Sequence, residues 1–177
     1  MLGDSLSAAY GIPPESGWVT LLQQRLQQTG HKTQLVNASF GGATTESGAQ
    51  RLPGLLQEFQ PDIVILELGG NDGLQGKPVS YITDNLRKMI NAAQASHAQV
   101  LLLGVKIPPN YGSRYTEPFF QQYEKLANEY KLVYVPFMLE GIAGHTELMQ
   151  GDGIHPLAAA QPKVLENIWA LLATMLD

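Results

Sequence analysis

The run Asp62–Leu68, with Ile63-Val64-Ile65-Leu66 at its centre, constrains the fold more than any other stretch of the chain. Four successive β-branched or apolar residues lack the in-out alternation of a strand with one wet face. They read as a parallel strand covered on both sides. A parallel neighbour requires a crossover long enough to hold a helix, and the chain supplies several. The spacing of Trp18, Leu21, Leu22 and Leu26 predicts a helix over Gly17–Thr29, with Gly30 placed to end it. Further helices are predicted at Thr45–Phe59, where Pro53 should bend or split the element, at Val79–Ala95, at Glu117–Tyr130, and along Val164 to Met175. Between them, Thr33–Asn37, Val100–Val105 and Val133–Phe137 read as strands, and Met1-Leu2 as the stub of another. Five strands alternating with helices predict a three-layer α/β/α domain with a mainly parallel five-stranded sheet. A length of 177 residues with 44% hydrophobic content suits one domain, residues 1–177, around one core.

In such sheets ligands bind beyond the carboxyl ends of the strands, so the loops there carry the chemistry. Gly3-Asp4-Ser5, Ala38–Thr45, Gly69-Gly70-Asn71-Asp72-Gly73 and Asp152-Gly153-Ile154-His155-Pro156 all fall on that rim. Each alone is ordinary turn chemistry. Together they supply a complete set of parts. A serine hydroxyl becomes a nucleophile only when an imidazole takes its proton, and the imidazole needs a carboxylate to fix its tautomer. Ser5, His155 and Asp152 meet that need, and the i, i+3 spacing of the last two lets one turn carry both. Donors for the developing oxyanion are the backbone N–H groups of Ser5 and Gly42 and the side-chain amide of Asn71. Asp4 and Asp72 are expected to hold the Ser5 and Asn71 loops through local backbone hydrogen bonds. His31, His97 and His145 lie in polar loops or helix ends with no acid spaced to serve them, and read as surface residues.

The four blocks Gly3-Asp4-Ser5-Leu6, Gly41-Gly42-Ala43-Thr44, Gly69-Gly70-Asn71-Asp72 and Asp152-Gly153-Ile154-His155-Pro156 resemble those of the GDSL, or SGNH, hydrolases, which carry Ser, Gly, Asn and His in that order. Asn37-Ala38-Ser39, Arg51-Leu52-Pro53, Glu67–Leu74 and Asn110-Tyr111-Gly112 make the chain most similar to the bacterial thioesterase I/lysophospholipase/arylesterase group. One departure is Ala43, where an acidic residue often follows the second-block glycine. The resemblance implies a flavodoxin-like sheet and hydrolysis of esters, thioesters or lysophospholipids without metal or cofactor. It also implies an acyl groove along Gly73, Leu74 and Gln75 on one side and Ile107, Pro108 and Tyr111 on the other. Glycines at both ends of Gly73–Lys77 suggest a mobile lid over that groove. The resemblance further implies a periplasmic or secreted location. Asp4 interrupts the opening apolar run, so no signal peptide is expected within this chain, and a cytoplasmic location is the alternative.

A net charge of −5 argues against nucleic acid and anionic lipid surfaces as partners, which leaves a small-molecule acyl ester or thioester as the expected ligand and a monomer or weak oligomer as the expected state. No apolar run approaches the roughly 20 residues of a membrane span, and with no cysteine the redox compartment is open. Two other readings stand: a carbohydrate O-acetyl esterase using the same triad, and a flavodoxin-like binding domain without catalysis. The second leaves the Asp152/His155 pair unexplained. Only Met1 and Leu2 precede the Gly-Asp-Ser turn, so the first strand is expected to be short and to leave a gap between its neighbours.

Overall fold

The computed structural model describes residues 1–176. Four parallel strands form the sheet in the order β1 (Leu2–Gly3), β2 (Ile63–Glu67), β3 (Gln99–Leu103) and β4 (Val133–Val135). Helices α2 (Thr45–Phe59), α4 (Val79–Ala95) and α5 (Ser113–Tyr130) pack side by side on one face, while α1 (Trp18–Gln28) and α6 (Gln161–Leu172) pack against each other on the opposite face. This is the expected three-layer α/β/α arrangement. Val64, Ile65 and Leu66 of β2 and Leu101, Leu102 and Leu103 of β3 are all buried, as a strand clad on both faces requires. Gly30 ends α1 as anticipated, adopting φ +81° while the His31 N–H donates to the Leu26 carbonyl at 3.0 Å.

Three elements differ from the sequence expectations. The first is the fifth strand, because Thr33–Asn37 forms no regular strand. The chain runs beside β1 only further on: Met1 N donates to Val36 O (2.8 Å), Ala38 N to Met1 O (2.9 Å) and Phe40 N to Gly3 O (3.2 Å). Before Val36 there is no part of β1 to pair with, and the Leu35 N–H is taken by the Gln23 side chain instead. A small apolar hollow of about 50 Å³ lies there, lined by Met1, Leu2, Val36, Leu56, Phe59 and Ile63 among others. The second difference is Pro53, which neither splits nor ends α2. It sits on the exposed face, where water can satisfy the carbonyl that loses its intrahelical donor. The third is in Gly69–Gly73, a stretch of turn chemistry by composition, where Gly70–Leu74 forms a short helix, α3. Gly69 leads into it at φ +117°, and a Cβ there would collide with the Tyr123 hydroxyl. Among the described residues no helix is long and apolar enough to cross a membrane.

Candidate active site

Ser5 follows β1 in a tight turn held by Ser7 N and Ala8 N, both donating to Asp4 O at 3.2 and 3.0 Å. Asp152 and His155 lie 147 and more residues away, in a loop closed by an antiparallel bridge between Met149 and Pro156. Gln150 N donates to His155 O (2.7 Å) and Leu157 N to Leu148 O (2.8 Å), which fixes the loop at its base. Gly153, at φ +68°, turns the chain back on itself. As a result Ser5 Oγ lies 2.8 Å from His155 Nε2, and His155 Nδ1 lies 2.6 Å from Asp152 Oδ2.

The protonation pattern follows from the partners. A carboxylate only accepts, so His155 Nδ1 carries the hydrogen and Nε2 is free to accept from the Ser5 hydroxyl. Asp152 is held ionised. Its burial raises the pKa, but hydrogen bonds from the His155 ring and from the N–H groups of His155 (3.0 Å) and Ile154 (2.9 Å) outweigh that and bring it down to about 2. The Tyr10 ring lies against His155 with centroids 4.5 Å apart, covering one face of the imidazole. Nothing in the sequence pattern marked Tyr10 for that place.

Ser5, Gly42 and Asn71, the residues of the expected oxyanion donors, all border one cavity. Gly42 adopts φ +76° with open space where a Cβ would stand, so its backbone is bare to a ligand. The Asn71 amide is fixed by two acceptors, Ala43 O at 2.9 Å and Asp4 Oδ2 at 3.2 Å. Ala43, the residue that departs from the family pattern, contributes here through its carbonyl and is itself buried. Asp4 behaves as expected in accepting from Leu6 N (2.9 Å). Asp72 does not. Rather than securing the Asn71 turn, it accepts from Thr45 N and Thr45 Oγ1, both at 2.8 Å, and so pins α3 to the N-terminus of α2.

The cavity has a volume of about 580 Å³ and its walls are mainly apolar. Of the expected acyl-binding residues, Leu74, Ile107 and Pro108 line it, whereas Gly73, Gln75 and Tyr111 do not. Gly73 is buried under Phe119 and Ile107, where a Cβ would come within 2.6 and 2.7 Å of their side chains. Its lack of a side chain serves packing, not hinge motion. Tyr111 stands outside the cavity and donates to Leu74 O (2.8 Å), while the Tyr115 hydroxyl donates to Lys77 O (2.5 Å). The stretch expected to be a lid is therefore tied down by two phenols. The opposite wall comes from Leu139, Ala143, Gly144 and Met149, in the irregular segment before the His155 loop. Its closely spaced apolar residues, Met138, Leu139, Ile142, Leu148 and Met149, were the available signal. Asn37, which entered only within the Asn37-Ala38-Ser39 resemblance, has a structural part: its amide donates to Ser7 O (2.9 Å) and braces the serine turn. His31, His97 and His145 do not border the cavity, and His145 pairs with Glu147 at the surface.

Residues 1–161 match the family model described as GDSL-like lipase/acylhydrolase. The chain is 49% identical over 176 residues to the esterase TesA of Pseudomonas aeruginosa, covering 99% of this chain and 88% of that protein. It is 42% identical over 166 residues to the thioesterase 1/protease 1/lysophospholipase L1 of Escherichia coli strain K12, covering 94% of this chain and 78% of that one. A crystal structure of TesA superposes with a TM-score of 0.96 at 50% identity, spanning 99% of this chain and 97% of the other.

Proposed function

Since the chain belongs to the GDSL-like lipase/acylhydrolase family and is an ester hydrolase, we propose that it cleaves carboxylic esters, acyl thioesters and lysophospholipids through Ser5, His155 and Asp152. The observation that carries this reading is the unbroken chain of contacts from Ser5 Oγ to His155 to Asp152, at 2.8 and 2.6 Å, at the mouth of a largely apolar cavity. Ser5 Oγ attacks the acyl carbonyl carbon while His155 Nε2 takes its proton. Asp152 stabilises the resulting imidazolium, and the negative oxygen is met by the N–H groups of Ser5 and Gly42 and by the Asn71 Nδ2 hydrogen that points to Asp4 at the longer 3.2 Å and is shared between the two acceptors. Collapse expels the alcohol or thiol, which leaves with the proton from His155. Water then repeats the cycle on the acyl-serine, releasing the carboxylic acid and restoring Ser5.

A volume near 580 Å³ is in the range of sites that enclose a small ligand. Walls built from Leu74, Ile107, Leu139 and Met149 suit an acyl chain better than the hydroxyl-rich ring of an acetylated sugar. The test is a panel of esters and thioesters of graded acyl length, run alongside fluorophosphonate labelling. Medium or long acyl chains should be preferred to acetylated sugars. Ser5→Ala should remain folded, lose labelling and lose on the order of 10⁶ in rate, and His155→Ala should be more severe than Asp152→Asn. Near-normal turnover by folded Ser5→Ala ends the assignment.

A further inference from the structure

Two acids lie directly beneath Ser5 that the hydrolytic cycle does not use. Asp4 is 3% exposed and Glu67, at the end of β2, is fully buried. Pairing of Gly3 with Glu67 brings them together. Glu67 Oε2 accepts from Asp4 N (3.2 Å) and Ser7 Oγ (2.8 Å). A Cβ on Gly3 would come within 2.6 Å of that oxygen, so the first-block glycine is what makes room for the acid. Glu67 Oε1 is buried and receives a hydrogen bond from no donor among the described residues. The Asp4 N–H bond to Oε2 and the pairing of β1 with β2 hold the two carboxyl groups as neighbours, each charge acting on the other.

The surroundings offer no countercharge from a lysine or arginine, since no ion pair among the described residues includes Asp4 or Glu67. The titratable groups facing the pair are Asp72 on α3, His155 from the catalytic loop and Tyr123 on α5. Two adjacent buried carboxylates without a cation cannot both stay ionised, so the pair retains a proton. Its place follows from the donors. Each acid receives two donors, Asp4 from Leu6 N and the Asn71 amide and Glu67 from Asp4 N and Ser7 Oγ, but both Glu67 bonds fall on Oε2, which leaves the fully buried Oε1 as the oxygen to carry the proton. Burial and the Asp4 charge push the Glu67 pKa well above the ordinary range; burial also lifts Asp4, to about 6.

We propose that Glu67 is a positioning residue for the ester-hydrolysing site: a neutral carboxylic acid that donates to Asp4, so that Asp4 in turn holds the Asn71 amide and the turn after Ser5 in their working orientation. The path is Glu67 to Asp4 to Asn71, ending on an oxyanion donor. Its effect belongs to the transition state, so it acts on kcat more than on KM. This rests on the ester-hydrolase reading of the same site.

Three variants and one spectrum test it. Glu67→Leu keeps the volume but can neither donate nor accept, and should lower kcat by about 10–100-fold with KM within about twofold. Glu67→Gln supplies an uncharged donor to Asp4 and an acceptor to Asp4 N and Ser7, and should rescue kcat to within about threefold of wild type. Wild-type kcat should also fall at alkaline pH as Glu67 loses its proton, a limb that Glu67→Gln lacks. Ser7→Ala, which removes a donor that favours the ionised form of Glu67, should move that fall to higher pH. An infrared difference spectrum of wild type minus Glu67→Gln at neutral pH should show the carbonyl band of a protonated carboxylic acid. If Glu67→Leu fails to fold, the band and the alkaline limb decide the matter. Glu67→Gln as slow as Glu67→Leu, or no protonated-acid band, overturns the proposal. If the wild-type protein hydrolyses no ester, the ester-hydrolase reading fails, and the infrared band still reports on Glu67 independently.

Discussion

Asp72→Ala should cost stability on a scale that can be worked from the geometry. Asp72 is 1% exposed and its two oxygens each take one hydrogen bond at 2.8 Å, from Thr45 N and from Thr45 Oγ1. Thr45 is also fully buried, and its hydroxyl accepts in turn from Asn85 Nδ2 at 3.3 Å. Truncation leaves two buried donors without partners, at about 1–3 kcal/mol each. It also removes from α3 a negative charge that faces the first turn of α2, the positive end of that helix. The total is roughly 3–5 kcal/mol, or a fall in Tm of about 10 °C for a domain of this size. Asp72→Asn retains one acceptor for Thr45 N and should cost only about 1 kcal/mol. Thr45→Val removes the hydroxyl alone. If the two side chains act as a unit, the double variant Asp72→Ala/Thr45→Val should be less destabilised than the sum of the singles by about 1–2 kcal/mol. Urea unfolding with a common m value measures the four variants against wild type. Strict additivity, or an Asp72→Ala protein within 1 kcal/mol of wild type, would show that the bond pattern does not carry the energy assigned to it.

Asn71→Ala should reduce kcat by about 10²–10³ with KM little changed, as for a donor engaged mainly in the transition state; a raised KM with unchanged kcat assigns Asn71 to substrate binding instead. The acids predict two pH windows of opposite sign. Asp4, raised from 3.8 to about 6, keeps a proton in the folded chain that the unfolded chain releases, so its contribution to stability falls as pH rises from about 4 to 6. Asp152, lowered to about 2, contributes above pH 4 and loses that contribution as pH falls toward 2. The stability difference between wild type and Asp4→Asn, measured from pH 4 to 7, should therefore shrink or reverse as pH rises, and a constant difference refutes the assignment. About four β-branched residues added before Met1, in register to pair alongside Val64 and Ile63, should fill the hollow near Leu56 and Phe59 and raise Tm by several degrees for about 1–2 kcal/mol recovered. An unchanged Tm would mean that the hollow costs the fold nothing.

Much of this architecture was legible because periodicity is a local property. The apolar run of β2, the stripes of α1 and α4, and the alternation between them follow from side chains that must be buried on one face or two. The Asp152/His155 pair was legible for the same reason, since three residues of separation lie within one turn. What could not be read locally depended on neighbours brought up by the sheet. Thr33–Asn37 has strand composition but finds no partner before Val36, and a strand exists only where a ladder can form. Gly70–Leu74 has turn composition, yet it coils because Asp72 is drawn to Thr45 and Gly73 fits beneath Phe119. Glu67 looked like the polar end of a buried strand; only the pairing of β1 with β2 sets it under Gly3 and against Asp4. The 2.8 Å contact between Ser5 and His155 spans 150 residues of sequence. The residue types specified which groups could react, but closing that distance required parallel strands to present their carboxyl ends on one rim, and that is a property of the packed sheet alone.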